Sequence, residues 1–412
     1  MLITNIKALV GIHPKEKLVL RGSEMAHLPV LENAWLLVEN GLIKDFGPMA
    51  TLPSSISHLP YHNAEGRFVL PTWVDSHTHL VFAQPREEEF VMKIAGKSYE
   101  DIAAAGGGIL NSANKLAEAS ESELFESASV RLKELIRLGT GAIEIKSGYG
   151  LTVESELKML RVVKRLKDTF PIPIRATLLA AHAYPAQYRN DHQAYLNLII
   201  KELLPQIAKE KLADYMDVFC EQGFFSVPET DQLLQAAARY GLKPKIHANQ
   251  LSISGGVEVG IKNAALSVDH LEETNPEVIQ ALAKSDTIAT LLPSCSFYLN
   301  IPFANAKELL QADVPVALAS DYNPGSAPSG NMNFVVSLGC IKLKMMPEEA
   351  INAATLNGAA ALALSHEVGS IAKGKRANLI LTKPMPSLAF LPYSFGQPQL
   401  EAVIINGEIY NG

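Results

Sequence analysis

The sequence lacks features that mark several classes of protein. Of its 412 residues only three are cysteine, at Cys220, Cys295 and Cys340, and none of them belongs to a CxxC pair. A disulfide framework needs more cysteines, and a thiolate metal cage needs them closer together. We therefore predict that the three thiols are buried as small apolar side chains.

An excess of basic residues is also missing, as is any long apolar run. The 36 Lys and Arg residues are outnumbered by 43 Asp and Glu, which gives a formal net charge of -7. Nucleic acid is therefore not an expected partner, because phosphate binding needs clustered positive charge. No run reaches the roughly 18 apolar residues of a membrane span, and the N-terminus lacks a signal peptide's order of charged and apolar residues. We expect a cytoplasmic protein that does not contact a membrane.

Hydrophobic residues are abundant, at 48% of the chain, and they recur in a regular order. Eight short runs rich in branched apolar residues alternate with helical patterns between Phe68 and Asp321, an order typical of parallel strands joined by crossover helices. The runs are FVLPTWVDSH, GAIEIKS, IRATLLAAH, YMDVFCE, PKIHANQ, ALSVDH, TIATLLPS and VPVALASD. They predict an α/β fold in the form of a (β/α)8 barrel.

Capping signals mark the helices between these runs. SVPE from Ser226 and TNPE from Thr274 each place Glu three residues after Ser or Thr, a pattern typical of a helix start. The segment ARYGLKP places Gly241 where a glycine commonly ends a helix. These signals predict one helix after the fourth run and another after the sixth.

The two ends of the chain resemble each other. AWLLVENGLIKDFG and LEAVIINGEIYNG each place Asn-Gly between apolar runs, a strong hairpin signal. They predict a small composite β-sandwich domain of residues 1–66 and 370–412, beside a catalytic barrel of residues 67–369. GSIAKGKRANLIL matches a phosphate loop as far as GxxxxGK, but Arg376 stands where Ser or Thr should hold magnesium. We interpret this segment as a turn leading into a strand.

Polar residues stand at the ends of the predicted barrel strands. In this fold the catalytic groups lie at the carboxyl ends of the strands and in the loops that follow, so residues far apart in the chain meet at one rim. Five of the 11 histidines occupy such positions. The residues at or just after the runs are His77, His79, Lys146, Tyr149, His182, Glu221, His247, His270, Ser294 and Asp321.

Two of these histidines form an HxH pair. His77 and His79 point the same way on a strand because they are two residues apart, so both can reach one cation. His247, His270 and Asp321 end the fifth, sixth and eighth runs. Imidazoles and a carboxylate, with no thiolate, suit zinc or iron. The alternative is that each of these residues only hydrogen-bonds to backbone groups at the end of its strand. This alternative explains a single residue well, but it explains five such residues together poorly.

With HxH on the first strand, His on the fifth and sixth and Asp on the eighth, the pattern resembles the mononuclear amidohydrolases. Over nearly the whole chain the sequence is similar to the imidazolonepropionase family, in HTHLVFAQPREEEF, GKSYEDIAAAGGGI, EIKSGYGL, HANQLS, SVDHLEE and SDYNPGS. The resemblance implies hydrolysis of the ring C–N bond of a small molecule, 4-imidazolone-5-propanoate, to N-formimino-L-glutamate in histidine degradation. It also implies a homodimer with one divalent or trivalent ion per subunit, zinc or iron, held by His77, His79, His247 and Asp321.

Three side chains are assigned chemical roles. Asp321 can touch the cation and accept a proton from its water, which fits a general base and later the acid toward the leaving nitrogen. We predict that His270 orients the water and stabilises charge on the substrate oxygen, although it could instead be a ligand. Mononuclear deaminases carry Glu where this sequence has Gln250, whose amide can hydrogen-bond the substrate ring but cannot exchange protons. Some relatives have Glu here, which leaves an acid-base role for this position open.

The resemblance also implies further contacts in the site. The planar guanidinium of Arg86 could bind the propionate of the substrate through two hydrogen bonds. The alternative is that Arg86 is a solvated surface residue beside Glu87 to Glu89. Tyr99 lies in the long loop after the first strand, where it could close over the substrate or belong to a solvent-exposed turn. The implied contacts are Arg86, Tyr149 and His182 with the substrate and Asn323, Gly325 and Ser326 with the product.

Three other functions fit parts of the pattern. A cytosine- or guanine-type deaminase is weakened by Gln250. A dinuclear hydrolase would need a carboxylated lysine as a bridge, and for the one strand-end candidate, Lys146, a structural role is the better interpretation. A non-catalytic barrel kept as an assembly scaffold is disfavoured, because such descendants lose metal ligands and none of the predicted ones is missing.

Overall fold

The computed structural model describes residues 1–97 and 107–411. The strands of this part of the chain are β1 (Leu2–Val10), β2 (Val30–Glu39), β3 (Leu42–Pro48), β4 (Tyr61–Asn63), β5 (Phe68–Pro71), β6 (Trp73–Asp75), β7 (Thr140–Lys146), β8 (Ile174–Ala181), β9 (Tyr215–Cys220), β10 (Lys243–Ala248), β11 (Ser267–His270), β12 (Ile288–Leu291), β13 (Val316–Leu318), β14 (Leu379–Thr382), β15 (Leu400–Ile405) and β16 (Glu408–Ile409).

The α-helices of the same part are α1 (Glu87–Ile94), α2 (Ile109–Glu118), α3 (Glu121–Arg137), α4 (Val153–Thr169), α5 (His192–Leu198), α6 (Leu204–Glu210), α7 (Val227–Ala238), α8 (Gly256–Lys262), α9 (Pro276–Ala283), α10 (Pro293–Leu299), α11 (Ala306–Gln311), α12 (Met332–Ile341), α13 (Pro347–Ala354), α14 (Leu356–Ala360) and α15 (Phe390–Tyr393). A π-helical turn, Ile199–Leu203, joins α5 to α6.

Strands β6 to β13 form the barrel, each parallel to the next in chain order. Strands β7 and β9 are buried along their whole length, as expected when both faces of a parallel sheet are covered. The last strand returns to the first just beyond their ends. There the N–H of Asp321 donates to the His77 carbonyl (3.0 Å), and the N–H of His79 donates to the Tyr322 carbonyl (2.8 Å). The predicted (β/α)8 barrel is confirmed, and it closes at its carboxyl end.

The first predicted strand divides between two sheets. Phe68–Pro71 pairs with β1 and β14 outside the barrel, whereas Trp73–Asp75 pairs with β7 inside it. The boundary predicted at residue 67 assigned both pieces to the barrel, because a continuous apolar run does not reveal which sheet each half joins. The division into domains stays a proposal. The strand pairing favours Thr72, in place of residue 67, as the boundary between the N-terminal part of the β-domain and the barrel.

Strands from both ends of the chain form the second sheet, which we call the terminal sheet. Its order is β16-β15-β14-β5-β1-β2-β3, with β4 beside β1, and it packs on an apolar cluster of its own. Both Asn-Gly hairpins form as predicted, with φ of 51° and 77° at Asn40 and Gly41 and of 50° and 79° at Asn406 and Gly407. A two-residue turn of this type needs positive φ at both positions. The predicted small β-domain built from both termini is therefore confirmed, with its strands joined in one continuous sheet.

The helix signals are confirmed with one shift. Ser226 and Glu229 form the predicted capping box of α7, and Gly241 follows the end of that helix with φ of +79°. The cap of α9 is Asn275, whose side chain accepts the N–H of Val278 (2.8 Å). The prediction of Thr274 was wrong by one residue, because Pro at the first helical position fixes the start after Asn275.

Three smaller predictions concern thiols, the segment from Gly369 and membrane spans. Cys220 and Cys295 are buried, Cys340 is partly buried, and all three are free. The segment from Gly369 is a turn that leads into β14, as predicted. Among the described residues, no helix combines the length and the apolar character needed to cross a bilayer.

Candidate metal centre

The four predicted ligands lie together at the carboxyl end of the barrel. The Nε2 atoms of His77 and His247 are 3.1 Å apart, and Asp321 Oδ1 is 3.5 Å from Nε2 of both His77 and His79. One ring nitrogen from each histidine lies within 4.8 Å of the others, and all four side chains are buried. Residues that are far apart in the sequence therefore converge on one point.

Two carboxylates fix the orientation of two of the rings. Asp269 Oδ2 lies 2.7 Å from Nδ1 of His77, and Asp217 Oδ2 lies 2.9 Å from Nδ1 of His247. A carboxylate beside Nδ1 favours a proton on that nitrogen, so Nε2 carries the lone pair. The two Nε2 lone pairs then face each other across 3.1 Å, an arrangement that is repulsive without a cation between them. Ligand atoms around a tetrahedral zinc ion are separated by about 3.3 Å, so the donor set fits a metal.

Burial keeps the imidazoles of His77 and His247 neutral. It is the main cause that lowers the pKa of His77 well below the ordinary value, and it lowers the pKa of His247 to about 4 against the opposing effect of Asp217. For Asp321 burial alone would raise the pKa, but the hydrogen bond from His79 and the electrostatic effect of His270 and the other nearby rings outweigh it and lower the pKa of that carboxyl. Neutral imidazoles and an ionised carboxylate are the forms that bind metal.

A network of buried charges lies beneath the centre. Lys146 Nζ donates to Glu144 Oε1 (2.9 Å) and Asp217 Oδ2 (2.8 Å), and Lys245 Nζ donates to Glu144 Oε2 (3.0 Å). Asp269 Oδ2 lies 3.8 Å from Lys146 Nζ and 3.7 Å from Lys245 Nζ. All five side chains are buried. The lysines hold the carboxylates that in turn orient the imidazoles.

Lys146 is therefore engaged in ion pairs. Burial alone would lower its pKa, but Asp217 and Glu144 outweigh burial and raise the pKa. Carboxylation of a lysine needs the neutral amine, which this pairing disfavours. The geometry supports the structural interpretation of Lys146 over that of a bridge between two metals.

Left-handed backbone conformations occur at the strand ends around the centre. The φ angle is 91° at His270, 64° at Leu271, and 56° at both Asn249 and Asp321. For residues with a Cβ such conformations cost about 1–3 kcal/mol each and persist only where the surroundings impose them. They turn the chain sharply where β10, β11 and β13 end, which directs the polar side chains to the rim.

His270 stands beside the four ligands. One of its ring nitrogens lies within 4.8 Å of donor atoms of His77 and Asp321, and its Nδ1 lies 3.5 Å from Glu272 Oε2. Burial favours the neutral ring, but the Glu272 carboxylate outweighs it and raises the pKa of His270. The position is compatible with both predicted roles, as a charge-stabilising group and as a ligand.

Two rings line one side of the centre. The His182 ring stacks on that of His79 with centroids 5.3 Å apart, and the Tyr149 ring lies 6.0 Å from His79 and 5.8 Å from His182. Nδ1 of His182 lies 3.2 Å from the Gly148 carbonyl, to which it can only donate. The other nitrogen of the neutral His182 ring is then an acceptor, while the Tyr149 hydroxyl supplies a donor.

The turn after β13 is organised by Asn323. Its Oδ1 accepts the N–H groups of Gly325 (2.8 Å) and Ser326 (2.7 Å), and its Nδ2 donates to the Asp321 carbonyl (2.6 Å). Ser326 Oγ lies 3.4 Å from Asp321 Oδ2. The three residues implied to contact product are therefore beside the carboxylate of the centre.

Arg86 packs against this turn. Its Nε and Nη2 donate to the two oxygens of Glu89 (2.8 and 2.6 Å), and its side chain is only 16% exposed. A methyl group added to Gly325 would come within 3.0 Å of Arg86 Cζ. The Arg86 guanidinium is thus held by the Glu89 carboxylate, and it fits beside Gly325 because glycine has no side chain. Arg86 is therefore not the solvated surface arginine of the alternative.

Gln250 lies on the loop after β10. Its Nε2 is 3.5 Å from Cys295 Sγ, and the next residues of the loop are held by Glu221, which accepts the N–H of Leu251 (3.0 Å) and the hydroxyl of Ser252. Glu221 therefore fixes the loop that carries Gln250. Tyr99 lies outside the described residues.

Sequence reasoning missed several residues of the site. Charged residues inside apolar strands, as in YMDVFC and SVDH, were an available signal, because a charge on a buried strand needs a partner. Cys295 gave no such signal, since it lies in the helix after β12 and looks like a core residue. The missed residues are Glu144, Asp217, Lys245, Asp269, Glu272 and Cys295.

Comparison with known proteins gives a consistent result. Residues 68–410 match the amidohydrolase family. An imidazolonepropionase of Christiangramia forsetii is 55% identical over 409 residues, and one of Flavobacterium johnsoniae is 56% identical over 408 residues, each match covering 99% of both chains.

Solved structures share the fold at low sequence identity. A 5-methylcytosine deaminase from Klebsiella pneumoniae with bound phosphonocytosine has a TM-score of 0.74 at 18% identity, covering 99% of this chain and 97% of that one. A triazine hydrolase variant has a TM-score of 0.75 at 14% identity, covering 99% and 94%. At such identities the likeness concerns the fold alone.

Proposed function

The chain belongs to the amidohydrolase family and, within it, to the imidazolonepropionases, and from this premise we propose that it hydrolyses 4-imidazolone-5-propanoate to N-formimino-L-glutamate. The observation that carries the proposal is the convergence of His77, His79, His247 and Asp321 at one rim, with the rings oriented by buried carboxylates. A donor set of this kind serves a hydrolase that activates water.

The proposed ligands are these same four residues, with zinc or iron as the ion. A divalent cation held there would lower the pKa of water to about 7 and polarise the ring carbonyl. Nitrogen and oxygen donors accept either metal. The chain's own contribution is to keep the rings of His77 and His247 neutral through burial and to keep the pKa of the Asp321 carboxyl below its ordinary value.

Asp321 is the proposed general base and acid. Water adds to the ring carbonyl carbon while a carboxylate oxygen of Asp321 takes its proton, and the C–N bond then breaks as that proton passes to the ring nitrogen. The second water proton passes from the new carboxylic acid to the basic formimino group. The products are then a carboxylate and a protonated formimino group, so atoms and charge balance. Ser326 Oγ, 3.4 Å from Asp321 Oδ2, fixes the side of the carboxylate away from His77 and His79.

His270 is proposed to stabilise the charge that develops on the substrate oxygen. Glu272 raises the pKa of His270 against the effect of burial, which favours a ring able to donate. A donor placed at a developing oxyanion contributes only as the charge forms, so it lowers the barrier without tightening substrate binding equally.

The remaining predicted residues are proposed to recognise the substrate. Arg86 would bind the propionate, and Tyr149 and His182 would flank the ring from the side of His79. Gln250 would hydrogen-bond the ring through its amide, and Tyr99 is retained as a contact from the first loop. Asn323, Gly325 and Ser326 would meet the product beside Asp321.

The test combines turnover with metal content. Purified protein should convert 4-imidazolone-5-propanoate to N-formimino-L-glutamate, followed by NMR, and a chelator should abolish turnover until one equivalent of zinc or iron is restored. Cytosine and guanine, as matched controls for deaminase chemistry, should release no ammonia. Metal-free protein without turnover after reconstitution would favour the scaffold, and ammonia release would favour a deaminase.

We also propose a cytoplasmic homodimer that binds no nucleic acid. The net charge of -7 supports the last point, because it disfavours a phosphate backbone. Sedimentation equilibrium over a range of concentrations should give twice the chain mass. A monomer at all concentrations would contradict the dimer and leave the activity test unaffected.

A further inference from the structure

A second group of potential metal donors lies beside the metal centre, and we name it the outer cluster: His270, Glu272 and Cys295. One donor atom from each lies within 4.8 Å of the others. Their exposed fractions are 3%, 8% and 0%, so all three are more than nine-tenths buried. Imidazole, carboxylate and thiol together are a donor set that zinc accepts.

Two polar atoms of the outer cluster have no hydrogen-bond partner among the described residues. They are Nδ1 of His270 and Oε2 of Glu272, which lie 3.5 Å apart. The other carboxylate oxygen, Oε1 of Glu272, accepts the hydroxyl of Ser296 at 3.0 Å, so the carboxylate is anchored on one side and aims its second oxygen into the cluster. A buried polar group without a partner is destabilising, and one cation would satisfy both atoms.

We propose that a second divalent cation, zinc, binds to His270, Glu272 and Cys295 and that filling this outer site inhibits the enzyme. On binding, the Cys295 S–H bond breaks, a sulfur–metal bond forms and the proton goes to solvent. Because thiolate is a soft ligand, cadmium should bind in the same way, and hard cations such as magnesium should not.

Inhibition follows from the position of the outer cluster. Cys295 Sγ lies 3.5 Å from Nε2 of Gln250, and one ring nitrogen of His270 lies within 4.8 Å of a donor atom of Asp321. A cation there occupies the space between the proposed ring contact and the proposed base, and it takes His270 away from the substrate oxygen. This half of the proposal rests on the proposed function, whereas the binding half does not.

The experiment starts from enzyme that carries one equivalent of zinc. Zinc or cadmium is added stepwise, bound metal is counted by atomic emission, and the ultraviolet thiolate-to-cadmium charge-transfer band is recorded without substrate. We expect a second equivalent, a band that grows with it, and a parallel loss of turnover. Binding of one equivalent only, or a second one without a thiolate band, would overturn the outer site whether or not imidazolonepropanoate is hydrolysed.

Variants locate the second ion. Cys295→Ser should lose the band and bind the second equivalent at least about ten-fold more weakly while keeping the first, and Glu272→Gln should weaken the second equivalent to a similar degree. The matched controls Cys220→Ser and Cys340→Ser should keep both the band and the second equivalent. A band that survives Cys295→Ser would contradict the assignment. Glu272→Gln and the wild-type band test the site independently if Cys295→Ser does not fold.

Turnover gives the last readout. Each variant is compared with its own rate before zinc is added, so that any direct effect of the substitution cancels. Cys295→Ser should be at least about ten-fold less sensitive to added zinc than the wild type, in line with its weaker second site. Equal sensitivity of both proteins would exclude inhibition through the outer cluster.

Discussion

Buried lysines meet different partners in two regions of the molecule. Inside the barrel, Lys146 and Lys245 donate to carboxylates. At the terminal sheet, the partners of Lys375 among the described residues are neutral oxygens, the Ser365 carbonyl (2.5 Å) and the Ser370 hydroxyl (2.6 Å). The carboxylates raise the pKa of Lys146 against the effect of burial, whereas burial lowers the pKa of Lys375 to about 8.

The difference shows what each region requires of its charges. In the barrel, the lysines are matched by carboxylates that also orient His77 and His247, so the charge network is part of the metal centre. At the terminal sheet Lys375 bonds neutral groups on the segment before β14 and supports the turn there. We therefore expect substitutions in the barrel network to affect function and stability together, and substitutions around Lys375 to affect stability alone.

The largest expected effect is a loss of turnover when a carboxylate of the candidate metal centre is replaced. Asp321→Asn removes the proposed base, so kcat should fall by about 10²–10⁴, the range typical of a general acid-base group. The matched control is Asp286→Asn, which changes a fully exposed carboxylate just before the amino end of β12 and should leave kcat unchanged. A kcat near the wild-type value in metal-loaded Asp321→Asn would remove the acid-base role.

The second prediction ranks the two lysine environments. Lys146→Met removes the lysine partner of Asp217 and leaves Glu144 with Lys245 alone. Breaking a buried ion pair in this way costs about 3–5 kcal/mol of unfolding free energy. Metal content should fall as well, because Asp217 no longer holds His247. Lys375→Met should cost at most about 1 kcal/mol at pH 7, since it also removes a poorly compensated charge. Urea unfolding of both variants measures the ranking, and the reverse order would break the comparison.

The third prediction uses one glycine from each region. Gly325→Ala pushes a methyl group toward the Arg86 guanidinium, so KM should rise about ten-fold through weaker carboxylate binding while kcat changes less. Gly374→Ala meets only the flexible end of Lys15 but has φ of +81°, so it should cost about 1 kcal/mol of stability without changing KM. Steady-state kinetics and thermal unfolding of both variants separate the two effects, and an unchanged KM in Gly325→Ala would dissociate Arg86 from the substrate.

The smallest expected effect is a pH dependence at Lys375. Its pKa is about 8 in the folded chain, below the ordinary value of 10.5, so the unfolded chain binds more protons between these values. Stability must therefore rise with pH across this window, and the penalty is complete only below about pH 8. The slope of unfolding free energy between pH 8 and 10 should be shallower in Lys375→Met, which does not titrate. Equal slopes would show that Lys375 is not desolvated.

Much of the fold could be predicted because local patterns determine it. Eight apolar runs gave eight barrel strands, and the two Asn-Gly turns gave the terminal hairpins. The division of the first apolar run at Thr72 was missed, since the strand segments before and after this residue are equally apolar. The start of α9 was missed by one residue, because Thr274 and Asn275 are both good capping residues. Pro276 occupies the first helical position, which makes Asn275 the cap.

The convergence of the four proposed ligands could also be predicted, because strand-end positions of a barrel share one rim; their role as ligands stays a proposal. The supporting residues could not, since their role depends on which neighbours they meet across strands. Glu144 on β7 bonds Lys245 on β10, 101 positions later, and Cys295 reaches Gln250 over 45 positions. Sequence spacing along one strand carries no information about such pairings.

The way in which the barrel closes also sets an order of events during synthesis. His77 and His79 emerge from the ribosome early, but Asp321, which faces them, comes some 240 residues later and is tied to the His77 carbonyl only when the last strand joins the first. A nascent chain thus holds an incomplete coordination sphere until this seam forms. Loading with the ion is expected to be a late step, and a chain truncated before residue 321 should leave its histidines available to chelate stray metal.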